Sequence, residues 1–279
     1  MQFASSLRFF LLLAALGLVV GFPGCAVNRN RPPTTTLAIY VTQYDMASLA
    51  AQASAVRQRR VTEPALWLVT GGFLDDSPTD RLGAASRAQR LLDAAGVDAV
   101  LLTPGWLALG RPVLDRFLAE AHFYVLGANL VDSSGRTLGH ELMVKKAGSA
   151  RVGVAGIWLD SVNVRSTAAR FIAPDFATRR IEPVLRQRAD VVGLLVGPRG
   201  SVDGWGVDFV AGTDAGRALS ALPSSAAGRI RRINARLSGG VLTNLTSTEQ
   251  DISGLVPDSL VLWTMDSIRS AGVRKTEGK

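Results

Sequence analysis

The sequence predicts an α/β fold with mixed sheets. Three observations carry this. Short apolar runs rich in β-branched residues alternate with amphipathic stretches through the first half of the chain. Several of these runs stop at glycine or proline, as at Gly71-Gly72, Pro104-Gly105 and Gly197-Pro198. In the middle, two strand-like runs flank a short glycine-containing turn, so a hairpin interrupts the alternation and the sheets are not all parallel.

In order, residues 37–42 (LAIYVT) predict a strand, β-branched and apolar after a polar lead-in. Residues 47–60 predict a helix with Leu49, Ala53 and Val56 on one face and arginines near its end, where they suit the dipole. Residues 65–70 predict a buried strand. A helix follows from a cap near Asp80 to Ala95, closed by Gly96. Residues 98–102 form a third strand that empties into a turn at 103–106; Pro112 then opens a helix to 121, and 123–126 is a fourth strand. The hairpin strands are 142–145 and 151–157, joined through Ala147-Gly148-Ser149. A helix over 176–188, a buried strand over 190–196 and a short strand over 207–211 come next. Beyond Gly216 the pattern predicts a helix over 229–237 and strands at 241–245 and 260–263.

The N-terminus reads as a targeting segment. Arg8 gives a positive start, and residues 9–20 are an apolar stretch too short for a membrane span of ~20 residues. The stretch leads to Cys25, the one cysteine in the chain, which therefore has no internal disulfide partner. Gly24-Cys25 at this place resembles the lipobox of bacterial lipoproteins, in which the cysteine is diacylated and becomes the mature N-terminus. The resemblance implies attachment to the membrane through Cys25 in the bacterial cell envelope, on the outer membrane facing the periplasm where two membranes exist. The domain reading is then a signal peptide over 1–24, lipidated cysteine and tether over 25–36, one domain over 37–270 and a polar tail over 271–279.

With 279 residues, 47% of them hydrophobic and 19% charged, the chain is globular. Its formal charge is +8, and the densest basic run is Arg229 to Arg236. No aromatic residues interleave with that run, so it reads as a solvated helix face and nucleic acid is not an expected partner. There is no Gly-x-Ser-x-Gly elbow and no Walker-type loop. The glycine-rich stretch 197–206, with Arg199, reads as a surface loop.

Six segments in order carry a resemblance to a known family. They are LVTGGFLDDSP (68–78), DAVLLTPGWLALG (98–110), FYVLGANL (123–130), ARVGVAGI (150–157), DVVGLLV (190–196) and GVDFVAG (206–212). Together they resemble the N-terminal domain of the 5′-nucleotidase type of calcineurin-like metallophosphoesterase, over roughly residues 37–216. The resemblance implies a four-layer α-β-β-α sandwich with two mixed sheets. It also implies a site of two metals about 3.5–4 Å apart at the strand ends, which needs imidazole, carboxylate and amide ligands.

Carried over position by position, those ligands are missing. The first Asp-x-His falls on Tyr44 and Met46; a slip of one residue recovers Asp45 but puts Ala47 at the histidine. The bridging aspartate falls on Gly72, and the Asn-His-Glu on Pro104, Gly105 and Trp106. The later histidines fall on Gly197, Asp214 and Gly216. The chain has two histidines, His122 and His140, and neither belongs to a strand end facing the implied cleft. The expectation is a pseudoenzyme with no catalytic residue and no cofactor, binding or scaffolding an envelope protein or a small ligand. The replacing glycines imply a cleft left unfilled, with Trp106 and Tyr44 placed to plug it or stack on a ligand. The competing expectation is a phosphoesterase with a rebuilt divalent-metal site, its oxygen ligands drawn from Asp45, Asp75, Asp76, Asp80 and Asp214.

Overall fold

The computed structural model describes residues 33–71, 81–102, 104–107, 110–159, 169–197, 205–212 and 229–276. Backbone contacts divide the chain into Met1–Pro33 and Thr34–Lys279, and all the elements below belong to the second unit.

The first sheet grows around β1 (Thr34–Gln43), whose residues 37–41 are fully buried. A strand buried on both faces must be apolar throughout, and LAIYV is. Helix α1 (Leu49–Thr62) returns the chain so that β2 (Ala65–Thr70) lies parallel to β1, with Ala38 opposite Ala65 and Gln43 opposite Thr70. Helix α2 (Arg81–Ala95) leads to β3 (Ala99–Leu101). Helices α3 (Pro104–Leu107) and α4 (Arg111–Glu120) lead to β4 (Tyr124–Leu126). These four strands are parallel.

After a two-residue strand β5 (Leu130–Val131), β6 (Leu142–Ala147) and β7 (Ala150–Ile157) form the expected hairpin. A short β8 (Arg170–Phe171) pairs with β5. Helix α5 (Pro174–Arg188) then brings in β9 (Val191–Val196) and β10 (Phe209–Gly212), parallel to β7. The second sheet has the order β10-β9-β7-β6. Residues Ile157, Val196 and Gly212 stand side by side at its carboxyl end.

The chain closes with β11 (Arg229–Ser238), β12 (Val241–Asp251) and α6 (Ser259–Thr276). Three expectations are corrected here. Residues 229–237 are a strand and not a helix, and residues 260–263 belong to a helix and not a strand. In the first case Ile230, Ile233 and Leu237 have helical spacing, but Ile233, Ala235 and Leu237 also alternate with polar residues. Pairing with β1, Ile39 opposite Ile233, decides for the strand. Gly239 and Gly240, at φ 60° and 81°, make the two-residue turn into β12, a backbone that L side chains rarely adopt. In the second case Val261 and Thr264 are buried, and Met265 and Ile268 pack on the core, a helical repeat that four residues do not reveal. Asp258 caps that helix: its Oδ1 accepts from the N–H groups of Leu260 and Val261, each at 3.1 Å. The turn expected at 103–106 is also a helix over Pro104–Leu107.

The first sheet therefore has the order β12-β11-β1-β2-β3-β4, mixed because β11 runs antiparallel to β1. It packs on the second sheet where β2 meets β9 and β4 meets β6 and β7. Helices α1, α2 and α6 pack together on the outer side of the first sheet; α5 covers β6, β7 and β9. The result is the four-layer α-β-β-α sandwich. Asp98, just before β3, ties the sheets at the amino ends of the parallel strands. Its buried carboxylate accepts from Trp67 N at 2.6 Å, from Lys145 Nζ at 2.5 Å across the sheets, and from Arg60.

Candidate functional site

Ligands in open α/β sheets collect beyond the carboxyl ends of the strands. At the end of β1, Tyr44 continues alongside β2, its N–H donating to Thr70 O at 3.0 Å, and its ring packs on the edge of the core. Asp45 turns its Oδ1 back to accept from Ala47 N at 3.1 Å, which organises the turn into α1. Met46 is exposed.

At the end of β3, Pro104, Gly105 and Trp106 form most of α3. Trp106 does not stand in a cleft. It is 1% exposed, and its ring centroid lies 3.9 Å from that of Phe117 on α4. The side chain expected as a plug or stacking platform is a core residue.

The end of β9 is the most informative place. Gly197 is buried, and the space in front of it is taken. A Cβ added there would lie 2.3 Å from the Trp158 ring, inside any permitted contact. The glycine is thus no sign of an unfilled cleft at this strand end; Trp158, just past the end of β7, fills it. Asn129 fixes Trp158 in turn. Its Nδ2 donates to Trp158 O at 2.6 Å and to Ile172 O at 3.2 Å, and its Oδ1 accepts from Trp158 N at 2.8 Å. The indole Nε1 is buried without a hydrogen-bond partner among the described residues.

Gly72, Asp75, Asp76, Asp80, Asp214, Gly216 and Cys25 lie outside the described residues. Of the positions on which the resemblance places metal ligands, those described are Tyr44, Met46, Pro104, Gly105, Trp106 and Gly197. They offer a phenol, a thioether and an indole, and the one-residue slip adds the Asp45 carboxylate, but none of them offers an imidazole. These described positions do not by themselves fit a two-metal centre of imidazole, carboxylate and amide ligands. Among the described residues no group of three or more His, Cys, Asp or Glu side chains is placed to hold a metal. His122 Nδ1 lies 3.2 Å from Asp93 Oδ2 at the start of β4, and His140 meets the Tyr124 ring edge-on at 5.1 Å.

Sequence reasoning missed Trp158 and the part played by Asn129. A tryptophan closing an apolar strand run was the available signal for the first. It also missed Asp132, after β5. Its carboxyl is held well below the usual carboxylate range, chiefly by the Ser134 hydroxyl at 2.6 Å. The N–H groups of Arg136 and Ser134 and the Arg111 guanidinium also lower it, while burial opposes them. With its lone pairs so occupied it organises the turn that follows β5.

No family model matches the chain, and no curated protein matches it. Solved structures do. The calcineurin-like phosphoesterase YfkN from Bacillus subtilis superposes with a TM-score of 0.68 at 16% identity, over 88% of this chain and 100% of that one. The 5′-nucleotidase precursor from Thermus thermophilus gives 0.65 at 15% identity, over 87% of this chain and 59% of that one. The NAD nucleotidase of Haemophilus influenzae gives 0.60 at 11% identity, over 85% and 56%. The chain spans less than three-fifths of the two nucleotidases. What is shared at such identities is the architecture: this chain has the fold of the calcineurin-like phosphoesterases and 5′-nucleotidases.

Proposed function

We propose that the chain is a non-catalytic, lipid-anchored protein of the bacterial cell envelope, which uses a metallophosphatase fold to bind or scaffold and not to hydrolyse. One observation carries this reading. At the end of β9, where the fold's relatives by resemblance need an imidazole, there is a glycine whose side-chain space holds the Trp158 ring. Restoring a ligand there would require moving a buried tryptophan that Asn129 grips by its backbone. The occupant it serves is an envelope protein or a small ligand. The anchor is Cys25, and the same reading puts the protein on the outer membrane, facing the periplasm, in a cell with two membranes.

The test is metal content and turnover on the same sample. Purified protein is stripped, reloaded with Mn²⁺, Mg²⁺ or Ca²⁺, and assayed against a phosphomonoester, a phosphodiester and a nucleotide. The expected result is no hydrolysis above the blank and metal far below stoichiometry. Stoichiometric metal with hydrolysis sinks the reading and installs the rebuilt site, with Asp45, Asp75, Asp76 and Asp214 as the ligands to mutate first. Mass spectrometry of the mature N-terminus tests the acylation of Cys25 separately.

A further inference from the structure

The end of the domain that receives the chain from Pro33 is defined by a set of contacts. Thr35 on β1 shares a hydrogen bond of 2.5 Å with Ser149 in the β6–β7 turn. A Cβ on Gly148 in that turn would stand 2.7 Å from Pro64 Cγ, so the turn abuts the α1–β2 connection. Arg151 N donates to Asp190 Oδ2 at 2.8 Å, just before β9. The β11–β12 turn reaches the same place, where a Cβ on Gly240 would be 4.0 Å from Asp190 Oδ1.

Basic side chains collect around these contacts. Lys146 faces Arg151 across the β6–β7 ladder, and Arg188 ends α5 just ahead of Asp190. Arg236 lies opposite Thr36, and Arg59 stands in the last turn of α1. Lys146, Arg188, Arg236 and Arg59 are exposed and make no ion pair among the described residues. Three carboxylates at this end are already engaged. Asp190 is taken by Arg151, Glu63 by Arg232, and Asp98 by Arg60 and Lys145. Among these described side chains the charge left without an ion-pair partner is therefore positive.

We propose that this end of the domain docks on a surface of anionic phospholipid headgroups. The proposal rests on the reading of Cys25 as the anchored residue. Thr34 is nine residues beyond it, and nine residues reach at most about 30 Å when fully extended. An anchor at Cys25 keeps the basic end close enough to the bilayer to fall repeatedly within a Debye length, about 8–10 Å, of the headgroups. A lipid chain combined with a basic patch is a two-signal attachment, stronger than either alone. Docked this way, the carboxyl ends of the parallel strands point away from the bilayer, toward whatever the domain meets.

The experiment uses the mature chain beginning at residue 25 with Cys25→Ser, so that no acyl group contributes. Its binding is measured to vesicles of phosphatidylcholine with phosphatidylglycerol and to vesicles of phosphatidylcholine alone. Binding is expected to the first and to weaken with salt. The triple variant K146Q/R188Q/R236Q is expected to bind roughly a hundredfold more weakly, at about fivefold per basic residue. A control triple of equal charge, R136Q/R170Q/R179Q, lies away from this end and is expected to bind as the parent does. Equal binding to both vesicle types, or equal loss in the two triples, overturns the proposal. Acylation of Cys25, read by mass spectrometry on the native protein, is a separate outcome, so failure of the anchor and failure of the docking surface are told apart.

Discussion

Asn129 holds Trp158 by both its backbone N–H and its C=O, at 2.8 and 2.6 Å, and so aims the Trp158 ring at Gly197. The carboxamide is fully buried and serves as a clamp between the β4–β5 connection and the end of β7. Asn129→Ala removes three hydrogen bonds and strands a buried backbone donor. The expected loss is about 3 kcal/mol, since each buried polar group left unmade costs about 1–3 kcal/mol. Urea unfolding checks it, and a loss under a third of that size would mean the clamp is not needed.

The packing of Trp158 on Gly197 makes the two positions energetically coupled. Gly197→His places an imidazole where the indole already is, and overpacking of this kind costs about 1–3 kcal/mol. Combining it with Trp158→Ala relieves the clash, so the double variant is expected to be more stable than the sum of the singles predicts. Additive losses in chemical denaturation would refute the coupling. Trp158→Phe should be mild beside Trp158→Ala, because the indole N–H it deletes has no partner among the described residues.

Tyr40 gives the fold a limit at high pH. Burial pushes its phenol up to about 12, with the Arg232 guanidinium partly opposing and the Glu63 carboxylate adding to the rise. The unfolded phenol titrates near 10. A raised folded value stabilises the protonated form, so this stability is complete below pH 10 and is lost progressively as pH climbs toward 12. The full amount is about 2–3 kcal/mol at 1.36 kcal/mol per pKa unit. Of the three tyrosines, one is expected to ionise last in an ultraviolet titration of the folded protein, and Tyr40→Phe should remove that late step.

Asp98 bridges the two sheets through Lys145 and also binds Arg60 and the Trp67 N–H. Removing one partner from a buried ion pair costs about 3–5 kcal/mol when the other charge stays buried. Arg60 and Lys145 are partly exposed and can turn to water, so Asp98→Asn is expected to cost nearer 2 kcal/mol. The loss should survive high salt better than that of a surface pair such as Arg116–Glu120. Thermal melts at two ionic strengths decide this.

Residues 191–196 were legible as a strand because burial on both faces demands an uninterrupted apolar run, and VVGLLV is one. Residues 229–238 were not, because Ile230, Ile233 and Leu237 satisfy a helical repeat as well as a strand. The arbiter is β1, nearly two hundred residues earlier. Leu260 to Trp263 misled for the opposite reason. Four apolar residues in a row look like a strand, yet of these Val261 alone is buried and the others face solvent from a helix. At the candidate site, the residue types at the positions set by the resemblance, glycine at 197 among them, could be read from the sequence alone. What fills the space in front of that glycine could not, because Trp158 and Gly197 are brought together by the pairing of β7 with β9.

The position of β1 has a mechanical consequence. It is an interior strand, bonded to β11 on one side over Thr34 to Val41 and to β2 on the other over Ala38 to Gln43. Its first residue is where tension from a membrane tether would enter the domain. A pull along the strand loads both ladders in shear, so many hydrogen bonds must fail together. Had the tether joined an edge strand end-on to its ladder, the same bonds would peel one at a time under far smaller load. A pull entering at Thr34 would therefore meet the part of the fold best able to carry it.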